Sequence, residues 1–239
     1  MLGSGRVQIN LNVTARNPDG FRVIPAPDFL FDRIACWRSE SGANGAEQMA
    51  LDETMLRLAP GPTLRVYRWS QPEVTFGYPQ RWEDARAFAG TRPLTRRCTG
   101  GGLVEHGADV TISLSVPAGD PFARLSPVET YRRIHAAVAQ ALAGARLAGE
   151  ADCLAGAACF ASPTQHDVMA NGRKILGGAQ RRSREGFLYQ GSLQGIALEA
   201  DLAPIFGHEV VEWKPSGWQA LRDQLVRERY ATEAWNLRR

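Results

Sequence analysis

The period of the hydrophobic positions changes several times along the chain, and each change marks an element. From Asn44, the stretch NGAEQMALDETMLRLA spaces Met49, Leu51, Met55, Leu56 and Leu58 at roughly helical intervals. Asn44 with Glu47 three positions on has the form of a capping box, so the spacing predicts a helix that ends near Pro60. TLRVYRW and EVTFGY then read as strands, with Gln71-Pro72 as the turn between them. In DVTISLSV, Val110, Ile112, Leu114 and Val116 alternate with Thr111, Ser113 and Ser115, the period of a half-buried strand. Ser126-Pro127-Val128-Glu129 combines a second capping box with proline at the first helical position. The helix it opens carries Tyr131, Ile134, Val138, Ala141 and Leu142 toward a core. QHDVMANGRKILGGAQ predicts two short strands around Asn171-Gly172, a dipeptide that favours a type I′ hairpin turn. GFLYQGSLQG adds a strand, and ADLAPIF and SGWQALRDQLVRERY read as closing helices. Strands and helices mix without strict βαβ alternation, which predicts an α+β fold with a mostly antiparallel sheet flanked by helices.

Composition narrows this picture only in places. The 239 residues lack an internal repeat or a low-complexity linker, so residues 31–239 read as one domain behind a polar, disordered arm at 1–30. The first twenty residues have no apolar core of a signal peptide, and no apolar run reaches the 18 residues of a membrane span. A net charge of +3 is too mild to indicate nucleic acid. Cys36, Cys98, Cys153 and Cys159 form no CxxC pair and read as reduced thiols in a cytoplasm. Zinc on Cys153, Cys159 and His166 would need an uncommon spacing, so no metal site is assigned. Lys174 and Lys214 are the chain's only lysines among 28 basic residues, which singles out each of them.

Candidate chemistry concentrates in three segments. RRCTGGGLVEH packs glycines between two predicted strands, and it fits neither GxxxxGK[ST] nor GxGxxG, so a nucleotide-phosphate loop is not indicated. Lys174 follows the hairpin turn on the face opposite Ile175, and Gly177, Gly178 and Ala179 leave the rest of that strand nearly bare, open to something lying against it. An edge strand with a solvated lysine reads equally well. Cys159, in AACFASP, is either a buried structural thiol or a nucleophile that needs a positive neighbour, and Lys174 lies across the hairpin from it. His106 and His166 are candidate proton carriers or packing histidines.

Taken in order, TLRVYRWSQPEVTFGYPQ, RRCTGGGLVEH, NGRKILGGAQRR and LYQGSL resemble the lipoate-protein ligase and octanoyltransferase superfamily, whose catalytic fold is shared with biotin-protein ligase. The resemblance spans roughly residues 34 to 210 and is nearest to the single-domain, cysteine-dependent octanoyltransferases, because ACF followed by proline is similar to their catalytic cysteine segment. It implies Cys159 and Lys174 as catalytic residues, with Lys174 binding the acyl carbonyl. It implies an acyl-chain site at Gly77, Arg97, Thr99, Gly100, Gly101, Gly102, His106, Gly178 and Ala179, with Asp167 at the acidic position ahead of the hairpin. Thr99 stands where ligases commonly have serine, and Gly107 stands where they often have an aspartate after the histidine. The implied activity moves an octanoyl or lipoyl group from acyl carrier protein to the lysine of a lipoyl domain or glycine cleavage H protein, with no cofactor. An ATP- and Mg-dependent ligase, an amidotransferase between lipoyl proteins and a non-catalytic lipoyl-binding protein are the alternatives. Acidic partners would meet Arg181, Arg182 and Arg184.

Overall fold

A computed structural model describes residues 29–38, 42–153, 163–195 and 201–238. Cys159 and almost all of the predicted N-terminal arm lie outside the described residues. In chain order the elements are β1 (Phe31–Cys36), α1 (Gly45–Leu58), β2 (Thr63–Arg68), β3 (Glu73–Phe76), α2 (Trp82–Ala89), β4 (Leu94–Arg96), β5 (Leu103–His106) and β6 (Val110–Pro117). They continue with α3 (Pro127–Ala141), β7 (Ala145–Leu147), β8 (Val168–Ala170), β9 (Arg173–Arg182), β10 (Gly186–Leu193), β11 (Gly207–Glu212), α4 (Trp218–Leu225) and α5 (Glu233–Asn236).

An eight-stranded sheet runs β11-β1-β2-β6-β10-β9-β8-β7, and a three-stranded sheet runs β4-β3-β5. Parallel pairs are confined to β1 with β2 and β11, and to β3 with β4. The fold is therefore α+β with a largely antiparallel sheet, as the element pattern implied. Local chemistry sets the helix starts. Asn44 Oδ1 accepts from Glu47 N at 3.1 Å while Glu47 Oε2 accepts from Asn44 N at 2.9 Å, a complete capping box. At α3, Ser126 Oγ accepts from Glu129 N, but the Glu129 carboxylate turns outward to Arg132 and Arg133, so that box is only half made. Asn171 and Gly172, at φ 50° and 73°, form the expected turn between β8 and β9.

Two expectations change. DVTISLSV is buried on both faces, not one. Ile112, Leu114 and Val116 pack with Ile134 and Val138 of α3, whereas Thr111, Ser113 and Ser115 lie on the face covered by α1. On that face Thr111 Oγ1 accepts from Trp69 Nε1 at 2.9 Å, and the Ser113 and Ser115 hydroxyls are buried without a hydrogen-bond partner among the described residues. The polar groups of α1 pair instead with the neighbouring strands β2 and β10. Arg65 of β2 pairs with Asp52 of α1 at 2.6 Å, both side chains fully buried, and also donates to Gln48 Oε1. Tyr67 Oη and Gln190 Nε2 donate to the second Asp52 oxygen at 3.0 and 2.6 Å. The second change is in ADLAPIF, which gives one tight turn at Ala203–Ile205 and then the unanticipated strand β11. That strand is mostly exposed along its length and docks at the sheet edge parallel to β1, so HEVVE carries little alternation to read.

The Asp52 network generates a stability expectation. Asp52→Ala leaves a guanidinium buried without its counter-charge, which costs about 3 to 5 kcal/mol. Replacing Asp52 and Arg65 together by leucine and methionine should recover only part of that loss, because Tyr67 Oη and Gln190 Nε2 still lose their acceptor and Gln48 Oε1 its donor. Denaturant unfolding of the two variants against the parent measures both.

Candidate active site

The two adjacent arginines of RRCTGGG do different work. Arg96 is buried and spends its guanidinium on backbone carbonyls, donating to Tyr78 and Gln80 O at 2.7 and 2.6 Å and to Asn236 and Arg238 O at 2.9 and 2.8 Å. It thereby ties the start of the loop to α5. Arg97 turns inward, donating to Thr75 Oγ1 at 2.8 Å and to the carbonyls of Gly100 and Gly102 at 3.0 and 2.8 Å. The loop therefore aims carbonyls at its own arginine, the reverse of an anion-binding nest of amides. Gly77 lets it close, since a Cβ there would sit 1.9 Å from Gly101 O. Thr99 is buried behind the loop and donates to Gln190 Oε1 at 2.7 Å, while Gly100 N meets Gln180 O. Gly77, Thr99 and Gly100, expected at the acyl-chain site, are not among the residues lining the cleft between this loop and the large sheet, and their contacts hold the loop in place.

Between this loop and the polar face of the large sheet lies a cleft that opens to solvent. Gly177, Gly178 and Ala179 of β9 form a floor nearly free of side chains, and Met49, Leu103 and Val104 supply apolar wall. Arg97, Gly101, Gly102, His106 and Lys174, all expected at the site, line it.

A bulge aims the lysine. Val168 pairs with Leu176 and Met169 with Lys174, so Ile175 is an extra residue on β9. The face alternation shifts by one there. Lys174 thus shares the cleft face with Gly177 and Ala179, while Ile175 and Leu176 join the core under α3. Its Nζ lies 2.9 Å from Asp167 Oδ2, with the lysine side chain 8% exposed and the aspartate fully buried. Asp167 also accepts from Thr164 N and from Tyr131 Oη. It acts behind the lysine and does not line the cleft.

His106 closes another wall. It stacks on Trp69 with ring centroids 3.8 Å apart, its Nδ1 is 2.8 Å from Asp109 Oδ2 and its Nε2 is 2.7 Å from Thr75 Oγ1. Because Arg97 donates to that same hydroxyl, Thr75 has its proton left for Nε2, which places the His106 proton on Nδ1 facing Asp109. Burial lowers the His106 pKa below its ordinary value and so favours the neutral ring. Burial would raise the Asp109 pKa, but hydrogen bonds from His106, Ser192 and Gly107 outweigh it and hold that carboxyl below its ordinary value. The acid that Gly107 does not supply thus comes from two residues further on.

Beneath the floor, Tyr189 lies so close that a Cβ on Gly178 or Gly191 would fall 2.4 or 2.3 Å from its side chain. His135 of α3 holds Tyr189 Oη at 2.7 Å and the His166 carbonyl at 2.8 Å. The carbonyl needs a donor, so Nδ1 carries the proton and Nε2 accepts from the tyrosine. Full burial pushes the His135 pKa down to about 3.

Other expected residues are placed elsewhere. His166 sits in the turn before β8, at φ 72°, and does not line the cleft. Arg182 turns to the α3 side, donating to Thr130 Oγ1 and Ala123 O, while Arg181 lines a separate polar cleft with Arg57, Cys98 and Arg229. The three arginines thus do not form one patch. Trp69, Thr75, Thr111, Gln190 and Ser192 also line the main cleft and were not singled out from sequence. Thr111 belongs to the polar positions of DVTISLSV, whose alternation was read as that of a half-buried strand, and Gln190 and Ser192 belong to LYQGSL, which was read only as a strand.

The family model of the lipoyl protein ligase A/B catalytic domain matches residues 44–205. Curated relatives include octanoyltransferase LipM of Kyrpidia tusciae, 32% identical over 71% of this chain and 69% of that protein. LipM of Brevibacillus brevis is 28% identical over 81% of this chain and 95% of that protein. Against LipM of Carboxydothermus hydrogenoformans the identity is 30%, over 68% of this chain but only 64% of the relative's length. Among solved structures, a lipoate-protein ligase A bound with ATP superposes with a TM-score of 0.61 at 19% identity, covering 87% of this chain and 98% of that one. A putative lipoate protein ligase of T. acidophilum with bound lipoic acid gives the same TM-score, identity and coverage.

The buried histidine predicts an acid-side limb in stability. Below about pH 6.5 the unfolded chain takes up a proton at residue 135 that the native chain refuses until about pH 3. Stability from this group is therefore complete at neutral pH and falls as the pH drops through that window, by at most about 1.4 kcal/mol per pH unit. Denaturant unfolding across the window checks this, and His135→Leu should remove the group's share of the slope.

Proposed function

Because the chain belongs to the lipoyl protein ligase A/B catalytic domain family, we propose that it is an octanoyltransferase that moves an octanoyl or lipoyl group from acyl carrier protein onto the lysine of a lipoyl-accepting protein. The carrying observation is a buried lysine at the edge of an apolar-walled cleft whose floor is two glycines and an alanine. An eight-carbon chain laid on that floor would bury about seven CH2 or CH3 groups, worth roughly 5 to 6 kcal/mol as an upper bound. Relatives named as octanoyltransferases support the acyl class.

In the proposed reaction, the Cys159 thiolate attacks the thioester carbonyl of the octanoyl carrier. The carbonyl electrons move onto oxygen, then return to expel the carrier thiolate, which takes up a proton. Cys159 is left as an acyl thioester. The amine of the acceptor lysine attacks that thioester in turn, an amide forms, a proton leaves the nitrogen, and the cysteine thiol is regenerated. Lys174 donates to the oxyanion in both halves, with Asp167 behind it. A lipoyl domain or glycine cleavage H protein is the expected acceptor, and no cofactor takes part.

Intact mass after mixing with octanoyl-carrier protein, without ATP, tests the reading. An octanoyl mass that hydroxylamine removes and Cys159→Ala lacks is the expected result. Transfer to a lipoyl domain only with free octanoate, ATP and Mg would make the enzyme a ligase instead. Lys174→Ala should slow turnover at least about a hundredfold, the scale of losing one oxyanion donor; retention of most activity would remove the lysine from the reaction.

A further inference from the structure

We infer that Tyr131 is a positioning residue for Lys174, its hydroxyl locking the lysine's counter-ion to the edge of the strand that floors the cleft. The inference rests on the proposed role of Lys174. The local problem is an unfinished sheet. β8 pairs with β9 only as far as Val168 opposite Leu176, and past that point no strand among the described residues pairs with β9 on that side. Gly178, two residues further, points its N–H at this open edge and donates to Tyr131 Oη at 3.0 Å. The same hydroxyl donates its proton to Asp167 Oδ1. The other carboxylate oxygen accepts from Thr164 N at 2.7 Å and Thr164 Oγ1 at 3.0 Å, and holds Lys174 Nζ at 2.9 Å. One phenol therefore joins the floor strand, the carboxylate and α3.

Tyr131 is itself held. Its ring lies against His135 with centroids 3.9 Å apart, and His135 is fixed at both nitrogens. Neighbouring bonds tie the same turn of α3 to β9, because Thr130 Oγ1 donates to Gln180 Oε1 at 2.9 Å and Gln180 Nε2 donates to Pro127 O at 2.7 Å. A lysine has a flexible four-carbon stem, so the placement of its ammonium depends on how well the carboxylate it pairs with is itself held. A carboxylate free to swing would carry the ammonium off the reacting oxygen, and small misplacements are costly to rate. Without the hydroxyl, the Gly178 N–H and Asp167 Oδ1 both lose a partner.

The test compares the parent chain, Tyr131→Phe, Lys174→Ala and the double variant. With octanoyl-carrier protein and a lipoyl domain, Tyr131→Phe, which removes both hydrogen bonds of that hydroxyl, should lower kcat several-fold and leave KM nearly unchanged. In the Lys174→Ala background it should cost nothing further. The same fold-loss in both backgrounds, or no loss in either, overturns the inference. A second readout does not need turnover. Lys214 is exposed and is the only other lysine, so labelling by an amine-reactive ester, mapped by peptide mass, reports Lys174 against an internal reference. Tyr131→Phe should raise the Lys174:Lys214 labelling ratio several-fold, and an unchanged ratio counts against the positioning role. A parent chain that transfers no acyl group refutes the octanoyltransferase reading, and the labelling ratio still decides the placement of the lysine.

Discussion

The ion pair between Arg65 and Asp52 is the constraint on which the site depends. It lets a helix dock on a sheet face that carries serine, threonine, arginine and glutamine, where apolar packing would ordinarily be expected. A buried pair of this kind contributes little net stability compared with apolar residues of the same shape, because both charges must leave water. Its effect here is register. Asp52 fixes Gln190, Gln190 receives the Thr99 hydroxyl, and Thr99 sits inside the glycine loop. A chain of three side chains thus connects the helix, the cleft wall and the loop that roofs it.

The same economy governs β9, which meets different needs along its length. Near its start a bulge turns Lys174 into the cleft; in its middle the backbone is bare above Tyr189; and toward its end its side chains divide between α3 and a separate polar cleft. Small residues are required there on both faces. A side chain at Gly178 would strike Tyr189, and a Cβ on Gly101 would lie 3.1 Å from the Ala179 Cβ. The glycines of the loop and of the strand are therefore parts of one close approach between two segments some eighty positions apart.

Polar groups around the cleft are paired almost throughout, and this defines the chemistry the site can support. His106 is held as a neutral ring between Thr75 and Asp109, so it serves as a wall and a fixed dipole. His135 is neutral beneath the floor. The Lys174 ammonium, set against Asp167, is the charged donor at the end of the bare strand, and that arrangement favours stabilising negative charge on a carbonyl oxygen over carrying protons.

Much of this was legible in the chain because it is local. The capping box at Asn44, the Asn171-Gly172 turn, the placement of Lys174 opposite Ile175 and the glycines after it depend on neighbours within a few positions, and three ordered motifs carried the family resemblance. What depended on distant partners was not legible. The polar face of DVTISLSV looks solvent-exposed until α1 covers it. Thr99 and Gly100 look like ligand contacts until Gln190 and Gln180 claim their donors. HEVVE becomes a strand only beside β1, and RR divides into an anchor and a wall only when α5 supplies carbonyls to Arg96. Sequence alone determined the starts of α1 and α3, the turn between β8 and β9 and the family likeness, because period and turn chemistry act at short range. The tertiary structure alone decided which polar residues face the cleft and which brace it, because hydrogen-bond partners are allotted by contacts between segments far apart in the chain.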